Sequence, residues 1–263
     1  MFHVENLKEK WNNEQIFLFF KPYGKTPKDI VEIVKQMTGA KKAAFSGRLD
    51  PMACGWLQIF LNTSCKLAPA FNHAKKTYRF KFAFNMSTSS HDLLGIPKFT
   101  RTNFKSVKRQ DILTFLNTIK GANYHQRMPA LSSLPVKNKE GEKHPLWWWT
   151  QNDRLDEVEL PIYEKTLYDY RIIGFDAIHL SELAKLAIER IQLIDPRHNF
   201  KQSEILSVWQ QLTAFSDVQI LTFEMEIDVS SGFYVRQLVR DLGTFLGIET
   251  MTIEIERLSY SPL

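Results

Sequence analysis

The chain has 263 residues, 44% hydrophobic and 24% charged, with a net charge of +5. That length buries a full core unaided, and two cysteines, Cys54 and Cys65, supply neither a disulfide framework nor a zinc spacing. No apolar run approaches the ~20 residues that span a bilayer, and the opening MFHVENLKEKWNNEQ is too polar for a signal or transit peptide, so a soluble, cytoplasmic protein is expected.

In chain order, IFLFF at 16–20 reads as a buried strand. KPYGKTP turns the chain into a helix with Thr26 as N-cap, Pro27 at the first position and Gly39 as the stop. Ile30, Val34 and Met37 recur there at helical spacing. AAFSGRLDPMACG at 43–55 reads as a loop broken by Gly47, Pro51 and Gly55, followed by a strand, WLQIFL at 56–61. TYRFKFAF at 77–84 alternates, with Tyr78, Phe80, Phe82 and Phe84 on one face. The stretch 120–160 reads as mostly irregular and holds Trp147, Trp148 and Trp149; adjacent residues cannot all point one way, so at least one is expected in the core. Helices are predicted at 182–194 and at 203–213, the second capped by Ser203. A strand at 219–229 follows, then a helix at 233–246 with Val235, Leu238, Val239, Leu242 and Phe245 inward. Met251, Ile253 and Ile255 place a last strand at 251–257 with those three side chains on one face. Alternating strands with separated helices predict an α+β fold around a largely antiparallel sheet.

The positive charge is clustered. KKTYRFK at 75–81 and KFTRTNFKSVKR at 98–109 interleave lysine and arginine with aromatics, and VKNKEGEKHP at 136–145 adds lysines. Cations neutralise phosphates and rings stack on unpaired bases, so nucleic acid is a candidate partner; a solvated basic surface has the same composition. The sharpest local signal is FSGRLDPMACG at 45–55, where one aspartate, Asp50, sits in a loop bounded by glycine and proline. Loops on a rigid scaffold carry catalytic groups, although an Asp-Pro pair also suits a turn that bonds its own backbone.

GRLDPMACG resembles the G-x-L-D-P-x-A-x-G signature of the TruB family of pseudouridine synthases. Further segments resemble the family's in the same order: IFLFFKPYGKT with Lys21 and Pro22, KKTYRFKFAF with Tyr78, SGFYVRQLVRDLG with Tyr234 and Arg236, and IEIERLSYSP with Ile255 and Arg257. Thr88, Ser90, Asp92 and Gly95 follow its T-x-T-x-D-x-x-G turn loosely, and QRMPALSSLPVKNKEG follows its Q-x-P-P segment more faintly. The resemblance implies a pseudouridine synthase fold in a single catalytic domain over 1–263. It implies isomerisation of uridine 55 in the T-arm stem-loop of tRNA by an extruded base and an essential aspartate, with no cofactor and no metal. Asp50 would be that aspartate, acting as nucleophile or as base. Arg236 would pair with it and Tyr78 would stack on the uracil; Tyr78 also lies in phase with core phenylalanines. Tyr234, Ile255, Lys21 and Arg257 would contact substrate or support the loop. Arg240, one turn after Arg236, could share its face or lie on the surface. Residues 123–150 would form a thumb-like insertion that grips RNA.

The sequence departs from the family at four places. Phe45 stands where the family carries a histidine that wedges open the T-loop, and Leu131 stands where it has tyrosine. A helical insertion is expected at about 176–216, and no segment resembles the family's C-terminal PUA domain, which implies weaker or differently placed tRNA binding. The expected protein is a monomer that needs no protein partner. Two other readings are a family synthase acting on another RNA, and a non-catalytic protein that binds or folds tRNA.

Overall fold

Strand β1 (Val4–Asn6) and β2 (Ile16–Lys21) lead into helix α1 (Pro27–Thr38), then β3 (Ala43–Ser46) and β4 (Ala53–Leu61). The structure is a computed structural model and describes residues 4–6, 15–99 and 106–260. A short α2 (Ala68–Phe71) precedes β5 (Lys76–Phe84), and β6 (Met86–Thr88) pairs with β7 (Pro97–Phe99). After α3 (Arg109–Ile119) come β8 (Tyr124–Arg127), β9 (Pro135–Lys137), β10 (Lys143–Pro145), α4 (Leu146–Gln151) and β11 (Ile162–Lys165). The chain then forms β12 (Leu167–His179), α5 (Leu180–Gln192), α6 (Gln202–Leu212), β13 (Gln219–Val229), α7 (Val235–Leu246) and β14 (Thr250–Tyr260).

The large sheet runs β1-β2-β4-β14-β5-β13-β12, with β3 also paired on β4. Its described pairs are antiparallel except β4 with β14, which run parallel. The α+β expectation therefore holds, and a fold built on a mostly antiparallel sheet is present. One sheet face carries Phe80, Phe82, Phe84, Phe223, Met225 and Ile227 against α3 and α7. The other carries Ala83, Ile220, Met251 and Ile253 against α5 and α6, with Trp209 fully buried and its indole N–H donating to the Leu93 carbonyl at 3.1 Å. Each fully buried Phe or Leu contributes about 1.5–3 kcal/mol, so these faces hold the sheet between two helical layers.

Thr26 caps α1, Pro27 opens it and Gly39 ends it, as its sequence predicts, and Asp29 closes a full capping box with Thr26. Several other expectations need correction. Met37 is 61% exposed, because α1 packs through Ile30 and Val34, with Val31 and Ile33 partly buried beside them. The 43–55 loop shrinks to 47–52, since Ala43–Ser46 and Ala53–Leu61 pair as strands. Met251, Ile253 and Ile255 do not share a face: the register shifts between Thr252 and Glu254, so the first two join the α5–α6 side and Ile255 the α7 side. A bulge adds one residue and reverses alternation, and period-two pattern matching cannot see it. Phe245 is 51% exposed and packs tilted against Phe115, with ring centroids 5.5 Å apart. Helix α7 starts at Val235 rather than 233, and α6 is capped by Lys201 in the left-handed conformation, which places Ser203 within the first turn. The stretch 120–160 is more ordered than its composition suggests. It holds β8, which pairs with β11, the β9–β10 hairpin and α4. Residues 100–105 of the basic run at 98–109, residues 1–3 and 7–14 of the N-terminal segment, and residues 261–263 lie outside the described residues.

Candidate active site

The Asp50 loop is held from three sides. Gly55 (φ 119°) lets β14 approach β4, because a Cβ there would sit 2.3 Å from the Arg257 carbonyl oxygen. That approach buries Arg257 completely, and its guanidinium donates to the carbonyls of Trp56 (2.8 Å), Arg48 (3.2 Å) and Gly47 (3.1 Å). Arg257 thus grips the loop backbone instead of facing a ligand. From the β2 side the Gly24 N–H donates to the Pro51 carbonyl at 2.9 Å. Lys21 is fully buried there, with its ammonium on the carbonyls of Pro22 (3.0 Å) and Lys25 (2.7 Å). Burial pulls the Lys21 pKa down to about 7, against the opposing charges of Cys54 and Asp50.

Opposite the loop stands the start of α7. Its N-cap, Tyr234, makes no side-chain cap bond. The fully buried Gln126 of β8 does that work: its Oε1 accepts from the Tyr234 N–H and its Nε2 donates to the Tyr234 carbonyl, both at 2.9 Å. This fixes where Arg236 leaves the helix. The Arg236 Nε donates to Asp50 Oδ2 at 2.8 Å, Nη1 to the Ser90 carbonyl at 2.8 Å and Nη2 to the Leu131 carbonyl at 3.4 Å. The arginine side chain is 4% exposed and the Asp50 side chain 32%. The cation lies behind and the carboxylate is the more exposed of the two.

A second carboxylate shares the arginine. Asp92 Oδ2 lies 3.6 Å from Arg236 Nε, while Oδ1 accepts from Ser90 Oγ (2.6 Å) and the Leu94 N–H (2.9 Å). Burial pushes the Asp92 carboxyl upward despite the guanidinium. Burial works against the Arg236 charge too, yet Asp50 and Asp92 together raise its pKa. Asp92 is a member of this site that its turn motif only hinted at. Gln126 was legible only as the first letter of a faint motif. Arg48, exposed at the mouth with its guanidinium 5.9 Å from the Phe45 ring centroid, carried no signal.

Tyr78 and Ile255 lie in one apolar cluster with Leu49, the residue before Asp50, and with Phe233 and Val235 around Tyr234. Tyr78 is 6% exposed, so it belongs to the core and to the wall beside Asp50 at once. Burial raises the Tyr234 hydroxyl pKa, and the Asp50 charge adds to that. Phe45 is not brought onto Asp50: on β3 it packs against the cluster of Phe19, Ile30 and Leu57. Arg240 is exposed and makes no described contact with Asp50. Beside the site, Trp149 is fully buried and Trp147 is 38% exposed; Trp148 stacks on His144 at 3.7 Å between centroids. One of the three tryptophans is therefore core, as adjacency requires.

His91 sits next to Asp92 with φ 60°. Its Nδ1 is buried without a hydrogen-bond partner among the described residues. Burial, helped by Arg240 and Arg236, lowers its pKa from 6.5 to about 4. Between those values the unfolded chain binds a proton that the folded chain refuses, so stability falls as pH drops from 6.5 to 4, by about 2–3 kcal/mol. His91→Asn, which tolerates the left-handed backbone, is expected to flatten that part of the urea-unfolding profile. An unchanged acid limb would show that His91 does not drive it.

Among the described residues no helix is long and apolar enough to cross a membrane, and no group of three or more His, Cys, Asp or Glu could hold a metal ion. The family model for TruB family pseudouridylate synthase, N terminal domain, matches residues 35–189, more than half of the chain. A tRNA pseudouridine synthase B of Caldanaerobacter subterraneus subsp. tengcongensis is 30% identical over 60% of this chain and 53% of its own length. That of Aquifex aeolicus is 27% identical over 92% of this chain and 66% of its own, and that of Malacoplasma penetrans 24% over 93% and 84%. The chain thus spans about half to two thirds of the first two relatives. In structure it is similar to a chain of a Cbf5-Nop10-Gar1 complex, with a TM-score of 0.54 at 16% identity, covering 92% of this chain and 47% of that one. That likeness is one of fold. With the signature loop, the β5 tyrosine and the α7 arginine set around one carboxylate, and the family model matching across the loop, the chain belongs to the TruB family of pseudouridylate synthases.

Proposed function

We propose that this protein isomerises uridine 55 in the T-arm of tRNA to pseudouridine, with Asp50 as the catalytic carboxylate. The observation that carries the reading is the partly exposed Asp50 bonded at 2.8 Å to the buried Arg236, beside the apolar wall of Tyr78 and Ile255. In the reaction the N1–C1′ bond of uridine breaks, the C1′–C5 bond forms, the C5 hydrogen leaves as a proton and the freed N1 takes up a proton, so the product is an isomer of the substrate. Asp50 acts at the sugar or the base during that exchange. Tyr78 and Ile255 supply the flat apolar surface for an extruded pyrimidine. Arg236 and, behind the loop, Arg257 and Lys21 hold the carboxylate in position. Tyr234 lines the mouth, and Phe45 with Arg48 borders it.

Residues 123–150, extended by β11, form the RNA-gripping part in this reading. Lys137, Lys139 and Lys143 are exposed on its hairpin, and Trp147 is exposed on α4. With Arg48 they make a footprint of about four phosphates, so affinity for T-arm RNA is expected to fall about 10²-fold between 50 and 200 mM salt. A flat salt profile in a filter-binding titration would remove these lysines from the interface.

The deciding experiment incubates the protein with tRNA carrying 5-tritiated uridine. Tritium release confined to position 55 supports the proposal. Release from another RNA alone, or binding without release, overturns it in favour of a different target or a non-catalytic binder.

A further inference from the structure

Antiparallel neighbours need only a short link, yet residues 180–218 stand between β12 and β13, which pair directly with each other. The α5–α6 hairpin covers one sheet face, and the end of α5 with its connecting segment reaches past that face: Arg190 and Leu193 onto the turn that follows β2, and His198 onto the first turn of α1. The Arg190 guanidinium lies 3.4 Å from the Tyr23 ring centroid and 3.5 Å from the Glu254 carboxylate. The Tyr23 hydroxyl lies beside the Cys54 thiol, four residues beyond Asp50, and each shifts the other's pKa. Leu193 closes over Gly24, where a Cβ would meet the Leu193 Cβ at 2.4 Å. Gly24 is the residue whose N–H holds the Pro51 carbonyl. His198 Nε2 lies 3.0 Å from both carboxylate oxygens of Asp29, which completes the α1 capping box.

We propose that the α5–α6 hairpin is an intramolecular clamp that sets the Asp50 loop through the Tyr23–Gly24 turn, with Arg190 as its principal positioning residue. The proposal rests on the reading of Asp50 as the catalytic carboxylate. The loop is gripped from the β14 side by Arg257, whose donors are supplied by a buried strand. From the β2 side its grips are the Gly24 N–H and the Tyr23–Cys54 contact, both carried by a turn. A turn by itself is the mobile kind of segment. Arg190 lays a flat cation on the Tyr23 ring, a contact that depends on the planar guanidinium, and Leu193 leaves Gly24 no room to move outward. A shift of about 1 Å at a catalytic group costs about 10² in rate, so a clamp on this turn acts on turnover with no contact to RNA.

The test uses the full chain with Arg190→Ala, Arg190→Lys and, as a control on the same hairpin, Arg197→Ala. Arg197 is 89% exposed and pairs with Asp195. Amide hydrogen exchange at Gly24, single-turnover pseudouridine formation and RNA affinity are measured for each. Arg190→Ala is expected to speed exchange at Gly24 at least 10-fold while Phe82 and Phe223 keep their protection. Its turnover should fall about 10-fold with RNA affinity within 2-fold of the unaltered protein. Arg190→Lys keeps the charge near the end of α5 but lacks the flat face, and is expected to resemble the alanine variant; Arg197→Ala should change neither reading. Unaltered Gly24 protection in Arg190→Ala, or in Arg190→Lys, overturns the clamp. So does a rate loss matched by an equal loss of affinity. If the unaltered protein makes no pseudouridine, the functional reading fails, and Gly24 exchange still decides whether the hairpin clamps the turn.

Discussion

Asp50→Asn is expected to reduce pseudouridine formation by about 10³–10⁴-fold while leaving RNA affinity within about 3-fold. The amide has the shape of the carboxylate and can still accept from Arg236 Nε, so the loop keeps its 2.8 Å tether. It can neither attack carbon nor take a proton at neutral pH, which removes the group the chemistry needs. The lost charge is the smaller problem. Arg236 retains Asp92 at 3.6 Å and the carbonyls of Ser90 and Leu131, so the stability cost should stay near 1–2 kcal/mol. Tritium release and filter binding on the same preparation separate the two effects. If affinity falls as far as turnover does, Asp50 serves the architecture of the RNA site, and the catalytic assignment is lost.

Much of this arrangement is legible in the amino-acid sequence alone, and the reasons are physical. The α1 cap, the alternation of 77–84 and 219–229 and the buried stripe of α7 are local: each is written in consecutive residues by a period or a cap. The pairing of Asp50 with Arg236 is not local, since 186 residues separate them. It is reachable only because both lie in segments that resemble one family. Asp92 and Gln126 are marked only by loose motifs and Arg48 by none. A buried aspartate shared by an arginine, or a glutamine bonded to another residue's backbone, leaves no mark of that partnership in its own neighbourhood. The alternation also misplaces Ile255, because a bulge at 253 exchanges the faces of β14, and that exchange puts Ile255 beside Tyr78 instead of under α5. The site depends on an irregularity that a regular pattern hides.

Arg236→Leu should show how much of the site is held by one cation. The substitution fills similar space but leaves Asp92 buried with no counter-charge, and breaking a buried pair from one side costs about 3–5 kcal/mol. The pH dependence has a definite sign. Burial already raises the Asp92 pKa above its unfolded value, and removing the guanidinium raises it further. A carboxyl with a raised folded-state pKa loses stability as pH climbs, because the unfolded chain gives up its proton first. The difference between variant and unaltered protein in urea unfolding is therefore expected to be larger at pH 7 than at pH 5. Equal differences at both values would mean that the arginine's carbonyl contacts matter and its charge on Asp92 does not. Arg236→Lys sharpens the point. A lysine restores the charge and should recover part of the stability, yet its single ammonium cannot reach Asp50, Ser90 and Leu131 together as the forked guanidinium does. Turnover should stay low in that variant, because Asp50 would keep a nearby cation and lose the fixed direction from which it works.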